Sequence, residues 1–400
     1  MSIINENGKV WILMGSYFSL NCVALSYVAL YLGRFGLQDY TIGIIVSVSA
    51  ILGFILQAIV GRIIDTNPKW YWRNLLMVLA LLELIISVLI FICHQINVPV
   101  PAIAVLYGIF ILITWGMLPL VNTPSFYYTA HGRPVNFGVA RGIGSLVFAA
   151  VSYMVGFFSE EIGIVFIPIC AVFFSVIFIM SISILPELGT AYGNNVESSK
   201  KSLINRDFIE RNKYFIMMAA GICMVLILHN MVNSFLIRMV ENVGGSSDAL
   251  GLALAIAAVC ELPVLFLYDD FVKKYKISTQ LLIFVACLFF VIRGILYLFA
   301  TSLVVIYAVQ ILQSLSFALL LASKTSYADE GMGNEDKARG QSIMSMTEAI
   351  GMVLGSAIGG WAISLGGVNM MYIVGIAFAA AGSLVVLLMY LPNNRSAAES

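Results

Sequence analysis

Charge is scarce in this 400-residue chain. Lys, Arg, Asp and Glu together make up 10% of it, 21 basic against 21 acidic, and the formal net charge is zero. No soluble domain of this length keeps its surface hydrated with so little charge. The other reactive residue types are thin or scattered. The three histidines, His94, His131 and His229, are too dispersed to gather round a metal. The six cysteines, Cys22, Cys93, Cys170, Cys223, Cys260 and Cys287, fall one per hydrophobic segment with no C-x-x-C spacing. They read as small apolar core residues, not as a disulfide frame or a metal site. The glycine clusters Gly142 to Gly144 and Gly355 to Gly360 lack the lysine and serine that complete a phosphate-binding loop. A nucleotide-driven pump is therefore disfavoured, and no cofactor is expected.

What the chain has is hydrophobic length. With 61% hydrophobic residues, it supplies one segment after another of the ~20 apolar residues needed to cross a bilayer. Breaking the runs at charges, proline and glycine gives twelve helices, at roughly 10–32, 41–64, 73–94, 101–123, 137–159 and 162–185, then 213–239, 248–268, 278–299, 303–327, 339–364 and 368–391. One polar stretch, Pro186 to Lys213, divides them six and six. The expected architecture is an all-α integral membrane protein: a bundle over 1–185, a cytoplasmic loop over 186–212 and a second bundle over 213–400. Met1 to Lys9 is polar and no small-residue cleavage site follows, so the first segment is expected to be retained, not removed as a signal peptide.

The basic residues alternate from loop to loop. Arg62, Lys69 and Arg73, then Arg133, then Lys200, Lys201, Arg206, Arg211 and Lys213, then Lys273, Lys274 and Lys276, and finally Lys337, Arg339 and Arg395 mark one side. The other side holds Arg34 and Arg238 beside Asp39, Glu160, Glu161, Glu241 and Asp248. The positive-inside rule then puts both termini and the central loop in the cytoplasm. The basic centre reads as a topology determinant on a linker in preference to a lipid or nucleic-acid patch.

The two halves repeat each other weakly. Ala140-Arg141-Gly142 enters the fifth segment and Ala338-Arg339-Gly340 the eleventh, the same point of each half. Gly61-Arg-Ile-Ile-Asp65 with Lys69, after the second segment, has a counterpart after the eighth in Asp269, Asp270, Lys273 and Lys274. Repeated halves are how many carriers build a binding site between two bundles that rock against each other.

Gly61-x-x-x-Asp65 followed by Lys69 resembles the loop signature of the major facilitator superfamily, with Thr66 and Pro68 where a basic residue and a glycine are usual. Ile42-Gly-Ile-Ile with Gln57 and Gly61, and Phe137-Gly-x-Ala-Arg141-x-x-Gly144, are similar to the lactose permease and oligosaccharide:proton symporter branch. Glu261-Leu-Pro263 is similar to the phenylpropionate and nucleoside permease-like members. The resemblance implies two pseudo-symmetric six-helix bundles and a conformational role for Gly61, Asp65, Lys69, Asp269 and Lys273. It also implies a sugar-binding role for Arg141, with Phe148 where that branch stacks a tryptophan on the sugar and Asn122 or Thr123 replacing the usual carboxylate. Arg293 resembles the lone arginine of the ninth segment. Gln313 and Ser316 stand at about the places of a histidine and a glutamate in the tenth.

Ionisable groups inside a membrane cost about 2.5–3.5 kcal/mol each on insertion scales and so mark function by default. Glu83 and Glu348 fall near mid-depth of their segments, Glu261 towards the cytoplasm and Arg293 in the outer half. These four are the candidate proton-coupling set, with a fixed structural pair of Glu261 and Arg293 as the alternative. Pro263 is expected to interrupt its helix beside Glu261. His229, Asn230 and Asn233 recur at helical spacing, and with Asn21, Asn122, Arg141, Phe148 and Gln313 they complete the candidate substrate-binding set. The equivalent structural readings are loop anchoring by Arg141 and Arg339, and helix-to-helix hydrogen bonding by the asparagines.

The function these features favour is secondary transport: proton-coupled uptake of a small polar solute such as a sugar, nucleoside or aromatic acid. A drug or metabolite efflux antiporter of the same fold is the first alternative, and a membrane enzyme or non-transporting sensor the second. The last lacks a recognisable nucleophile–base or metal constellation. The expected partners are the substrate, protons or sodium ions, and the lipid bilayer, with the chain a functional monomer that binds no nucleic acid. Compact loops fit a bacterial inner membrane.

Overall fold

The computed structural model describes residues 5–66, 72–96, 98–186, 206–333 and 336–398, which are overwhelmingly helical. In chain order the helices are α1 (Glu6–Asn21), α2 (Val28–Arg34), α3 (Asp39–Thr66), α4 (Trp72–Gln95), α5 (Val100–Ala130), α6 (Phe137–Glu161), α7 (Phe166–Ser183), α8 (Arg206–Arg211), α9 (Lys213–Asn242), α10 (Ser247–Tyr275), α11 (Thr279–Leu298), α12 (Leu303–Ile311), α13 (Leu319–Gly331) and α14 (Lys337–Ala398). Two π-helical turns, Cys22–Ser26 and Ser314–Ala318, join α1 towards α2 and α12 to α13.

The twelve expected crossings are found here. Glu6–Ser26 and Val28–Arg34 form one span bent by 46°. Residues Leu303–Gly331 form another. The 62-residue α14 is two helices, because Gly366 and Gly367 leave helical geometry. Gly367 has φ +68°, a conformation a Cβ would strain. Pro263 does not interrupt its helix as expected: α10 runs unbroken from Ser247 to Tyr275 with the proline inside it. Proline removes one N–H from the ladder, and a helix packed in its bundle tolerates that loss.

The chain divides into two compact units, Met1–Ser198 with Gly245–Val259, and Ser199–Gly244 with Cys260–Ser400. The division cuts α10 between Val259 and Cys260. Most of the expected central loop, 187–205, lies outside the described residues, as does Lys69.

Within each unit, helices meet through glycine. Lipid tails offer no hydrophobic drive for helix association, so close backbone approach and dispersion must supply it. In the first unit, a Cβ at Gly53 would come within 2.7 Å of Trp115 and one at Gly116 within 2.3 Å of Leu56, which locks α3 to α5. In the second, Gly351, Gly355, Gly359, Gly375 and Gly382 of α14 lie against α9, and the Gly382 Cβ position is 2.5 Å from the Gly221 carbonyl. The outward faces are apolar: Phe173, Met180, Leu267 and Val304 are all more than half exposed, as side chains facing lipid should be.

Candidate functional site

In the first unit the polar residues inside the membrane gather round α1. Glu83 of α4 is fully buried. Thr114 of α5 donates to its Oε1 at 2.6 Å, while Oε2 finds no hydrogen-bond partner among the described residues. Tyr17 of α1 donates to the Thr114 carbonyl at 2.9 Å, and Asn21, one turn further along, bonds the Tyr17 hydroxyl. Tyr17 also lies within electrostatic range of both Glu83 and Arg141. The Arg141 guanidinium sits over the Phe18 ring, 4.0 Å from its centroid. Gly144, one turn beyond Arg141, makes room for that ring: a Cβ there would lie 2.4 Å from Phe18. The glycine of the Arg141-x-x-Gly144 spacing thus seats the aromatic face on which the arginine rests. Phe148 and Asn122 are half-buried.

In the second unit the centre is Arg293 of α11, 3% exposed. Its Nη1 donates to Ser316 Oγ at 2.9 Å, and its Nη2 to the Tyr297 hydroxyl and to Gln310 Oε1, both at 3.2 Å. All three partners are uncharged. Three residues earlier than Ser316, Gln313 donates to Glu261 Oε1 at 2.9 Å. The π-helical turn Ser314–Ala318 follows at once. An extra residue in a helical turn rotates the side chains beyond it, a device frequent at functional sites. Here Ser316 faces Arg293 and Phe317 stacks on His229, centroids 4.2 Å apart and planes 10° from parallel. Lys324 of α13, 3% exposed, is paired with Glu348 of α14 and also donates to the Met344 carbonyl at 3.1 Å.

The expected polar face of α9 divides. His229 and Asn233 bond each other, Nε2 to Nδ2 at 3.0 Å. Asn230 points elsewhere: it donates to its own helix at the Leu226 carbonyl, 2.9 Å away, and its Cβ lies where Gly355 of α14 packs. Arg293 takes uncharged partners, and Glu348 pairs with Lys324. Of the loop motif, Gly61 faces open space, Asp65 lies in the last turns of α3, and Asp269 and Lys273 are exposed in the last turns of α10.

Several participants gave no signal in the sequence. Thr114, Gln310 and Tyr297 are ordinary residues of apolar helices until the fold sets them beside a charge. Tyr17 and Phe18 offered only their proximity to Asn21. The π-helical turns carry no composition that would announce them.

The family model described as the MFS_1 like family matches residues 11–374. No curated protein matches the chain. Among solved structures, a mutant of the nucleoside transporter NupG is similar with TM-score 0.80 and 16% identity, covering 97% of this chain and 99% of that one. A peptide transporter of the POT type in complex with alafosfalin is similar with TM-score 0.70 and 12% identity, covering 97% and 93%. A bacterial homolog of the human lysosomal transporter Spinster, inward-facing and unoccupied, is similar with TM-score 0.65 and 13% identity, covering 95% of each chain. At these identities the likeness is one of fold.

Proposed function

The chain belongs to the MFS_1 like family, and from that premise we propose that it is a proton-coupled secondary transporter that takes up a small polar solute by alternating access. It is a transporter and not an enzyme. The observation that carries the coupling is a pair of carboxylates set into apolar helices, Glu83 with Thr114 donating to it and Glu261 with Gln313 donating to it. An ionised carboxylate buried as fully as Glu83 has a large desolvation cost. Taking up a proton removes that cost, and an opening to water restores the charged form. A group that exchanges the two states as access alternates is a coupling group.

Arg293 belongs to the coupling set, and Glu348, paired with Lys324, is its third acid. Substrate recognition falls to Arg141, Phe148, Asn21 and Asn122 in the first unit and to His229, Asn233 and Gln313 in the second. Asn230 contributes to helix packing. A guanidinium presents planar, charged donors that match the hydroxyls or carboxylate of a substrate. Sugars, nucleosides and aromatic acids share that chemistry, and the nucleoside transporter among the structural neighbours supports the second class. Bundles over 1–185 and 213–400, joined by a cytoplasmic loop over 186–212, with both termini cytoplasmic in a bacterial inner membrane and the chain working as a monomer, complete the proposal.

The test has two stages. Purified protein is melted against separate panels of saccharides, nucleosides and aromatic carboxylates, where a ligand at about a hundred times its dissociation constant adds about 2.7 kcal/mol of stability. The ligand found is then followed into proteoliposomes under an imposed proton gradient. Accumulation that a protonophore abolishes supports symport. Outward movement against an inward proton gradient would instead establish the antiporter, and absence of any flux the sensor.

A further inference from the structure

A buried carboxyl that exchanges protons has to be housed in two forms, and each form needs a different hydrogen bond. The ionised group only accepts. The neutral acid carries a hydrogen that must itself be accepted.

Glu83 is fully buried, and few side chains around it can answer both needs. Helix α1 brings Tyr17, a titratable group within electrostatic range of Glu83 and of Arg141, but the Tyr17 hydrogen is committed to the Thr114 carbonyl at 2.9 Å. Helix α7 brings Ser175, which bonds Ser87, one turn of α4 beyond Glu83, at 3.3 Å. Ser87 Oγ lies 2.8 Å from the Glu83 backbone carbonyl, to which it donates. Helix α5 brings Thr114, fully buried, with its Oγ1 2.6 Å from Glu83 Oε1.

Thr114 Oγ1 has a second acceptor within reach, the Phe110 carbonyl one turn back at 2.9 Å. A hydroxyl has one hydrogen to give and lone pairs with which to accept. Aimed at Oε1, that hydrogen serves the ionised carboxylate. Turned to the Phe110 carbonyl, it leaves the Thr114 oxygen able to accept from a protonated Oε1. Both forms of Glu83 are then bonded through the rotation of one hydrogen, with no heavy atom displaced. Glu261 is placed differently. Its Oε1 meets Gln313 Nε2 at 2.9 Å, a nitrogen that can only donate, while Gln313 Oε1 is buried without a hydrogen-bond partner among the described residues. For Gln313 to accept from a protonated Glu261 Oε1, its amide has to turn over.

We propose that Thr114 is a positioning residue for the proton on Glu83, a two-way hydroxyl that gives to the ionised carboxylate and accepts from the neutral acid. This role rests on the reading of Glu83 as a coupling group. Infrared spectra of the purified full-length protein are recorded across pH, and the Glu83 carboxyl band is identified by its loss in Glu83→Gln. In Thr114→Val, which keeps the shape and removes the hydroxyl, the neutral acid loses its acceptor and the band should move to the higher frequency of a carboxyl without a hydrogen bond. The midpoint at which the band disappears should also move by about one pH unit towards alkaline, because the ionised form loses the stronger, charge-assisted bond. Thr114→Ser restores the hydroxyl and should restore both the band position and the midpoint. A Thr114→Val protein with the parent's band and midpoint would overturn the inference, as would a Thr114→Ser protein that behaves like Thr114→Val. The spectra need no flux, so the two readings separate. The expected band changes in a protein that moves no protons across proteoliposomes would support the role of Thr114 and remove the coupling, whereas proton-coupled uptake with unchanged spectra in Thr114→Val would do the reverse.

Discussion

Glu83 and Arg293 are opposites in the same predicament. Each is buried in one unit of the molecule, each is bonded to uncharged groups, and neither has an ion-pair partner among the described residues. The difference lies in what each can do about it. A carboxyl can take up a proton and become neutral, whereas a guanidinium keeps its charge at any pH the protein meets. The carboxylate side therefore has one donor, Thr114, and an oxygen to spare, and the guanidinium side has Ser316, Tyr297 and Gln310 arranged round it. Glu83 is a charge that can be switched off, and Arg293 one that must be housed. The Ala-Arg-Gly repeat shows the same divergence. Arg141 rests on Phe18 inside the first unit, while Arg339 bonds Asp336 at 2.9 Å at the start of α14.

Substitutions can break or sharpen this contrast. The largest effect is expected from Glu261→Gln, which keeps the hydrogen-bonding shape and removes titration; proton-driven accumulation should fall by about a hundredfold, the lower end of the range for loss of an acid–base group, while substrate counterflow continues. Glu83→Gln should lower accumulation by about tenfold or more on the same reasoning. It should leave the melting temperature close to that of the parent, because the neutral amide resembles the protonated acid. A large loss of stability in that variant would mean that Glu83 is held ionised, and the contrast with Arg293 would collapse. Gly355→Ala sets a Cβ 2.7 Å from both the Asn230 Cβ and the Ile227 carbonyl. The resulting overpacking of α9 against α14 should cost about 1–3 kcal/mol in unfolding measurements. Gly144→Ala should displace Phe18 from beneath Arg141 and weaken substrate binding by about fivefold, since an exposed cation–π contact contributes about 0.5–1 kcal/mol; a titration of the substrate found in the melting screen checks it.

The spans were legible because hydropathy is local. The break at Gly366–Gly367 lies in the gap expected between the segments ending at 364 and starting at 368. The bend that splits the first span and the two π-helical turns were not legible, because they follow from tertiary packing and not from composition. Pro263 misled for the reverse reason: a proline that would end a helix in water is tolerated inside a membrane-spanning one. The charges themselves could be found, since a membrane makes every one of them conspicuous. Their partners could not. Thr114 lies 31 residues from Glu83, Gln313 lies 52 from Glu261, and Lys324 lies 24 from Glu348. Those pairings exist only once the helices are assembled. The histidine–asparagine face shows the limit of periodicity, since a side chain one residue round the helix, Asn230, already belongs to a different neighbour.

The central claim is that embedded carboxylates of this chain carry protons with the substrate. The direct measurement is external pH in lightly buffered proteoliposomes as substrate is added. The account expects the medium to turn alkaline with the wild-type protein, and to stay unchanged with Glu261→Gln even though that variant still exchanges substrate across the bilayer. Alkalinisation of equal size in both Glu261→Gln and Glu83→Gln, or substrate entry by the wild-type protein with no proton movement, would contradict it.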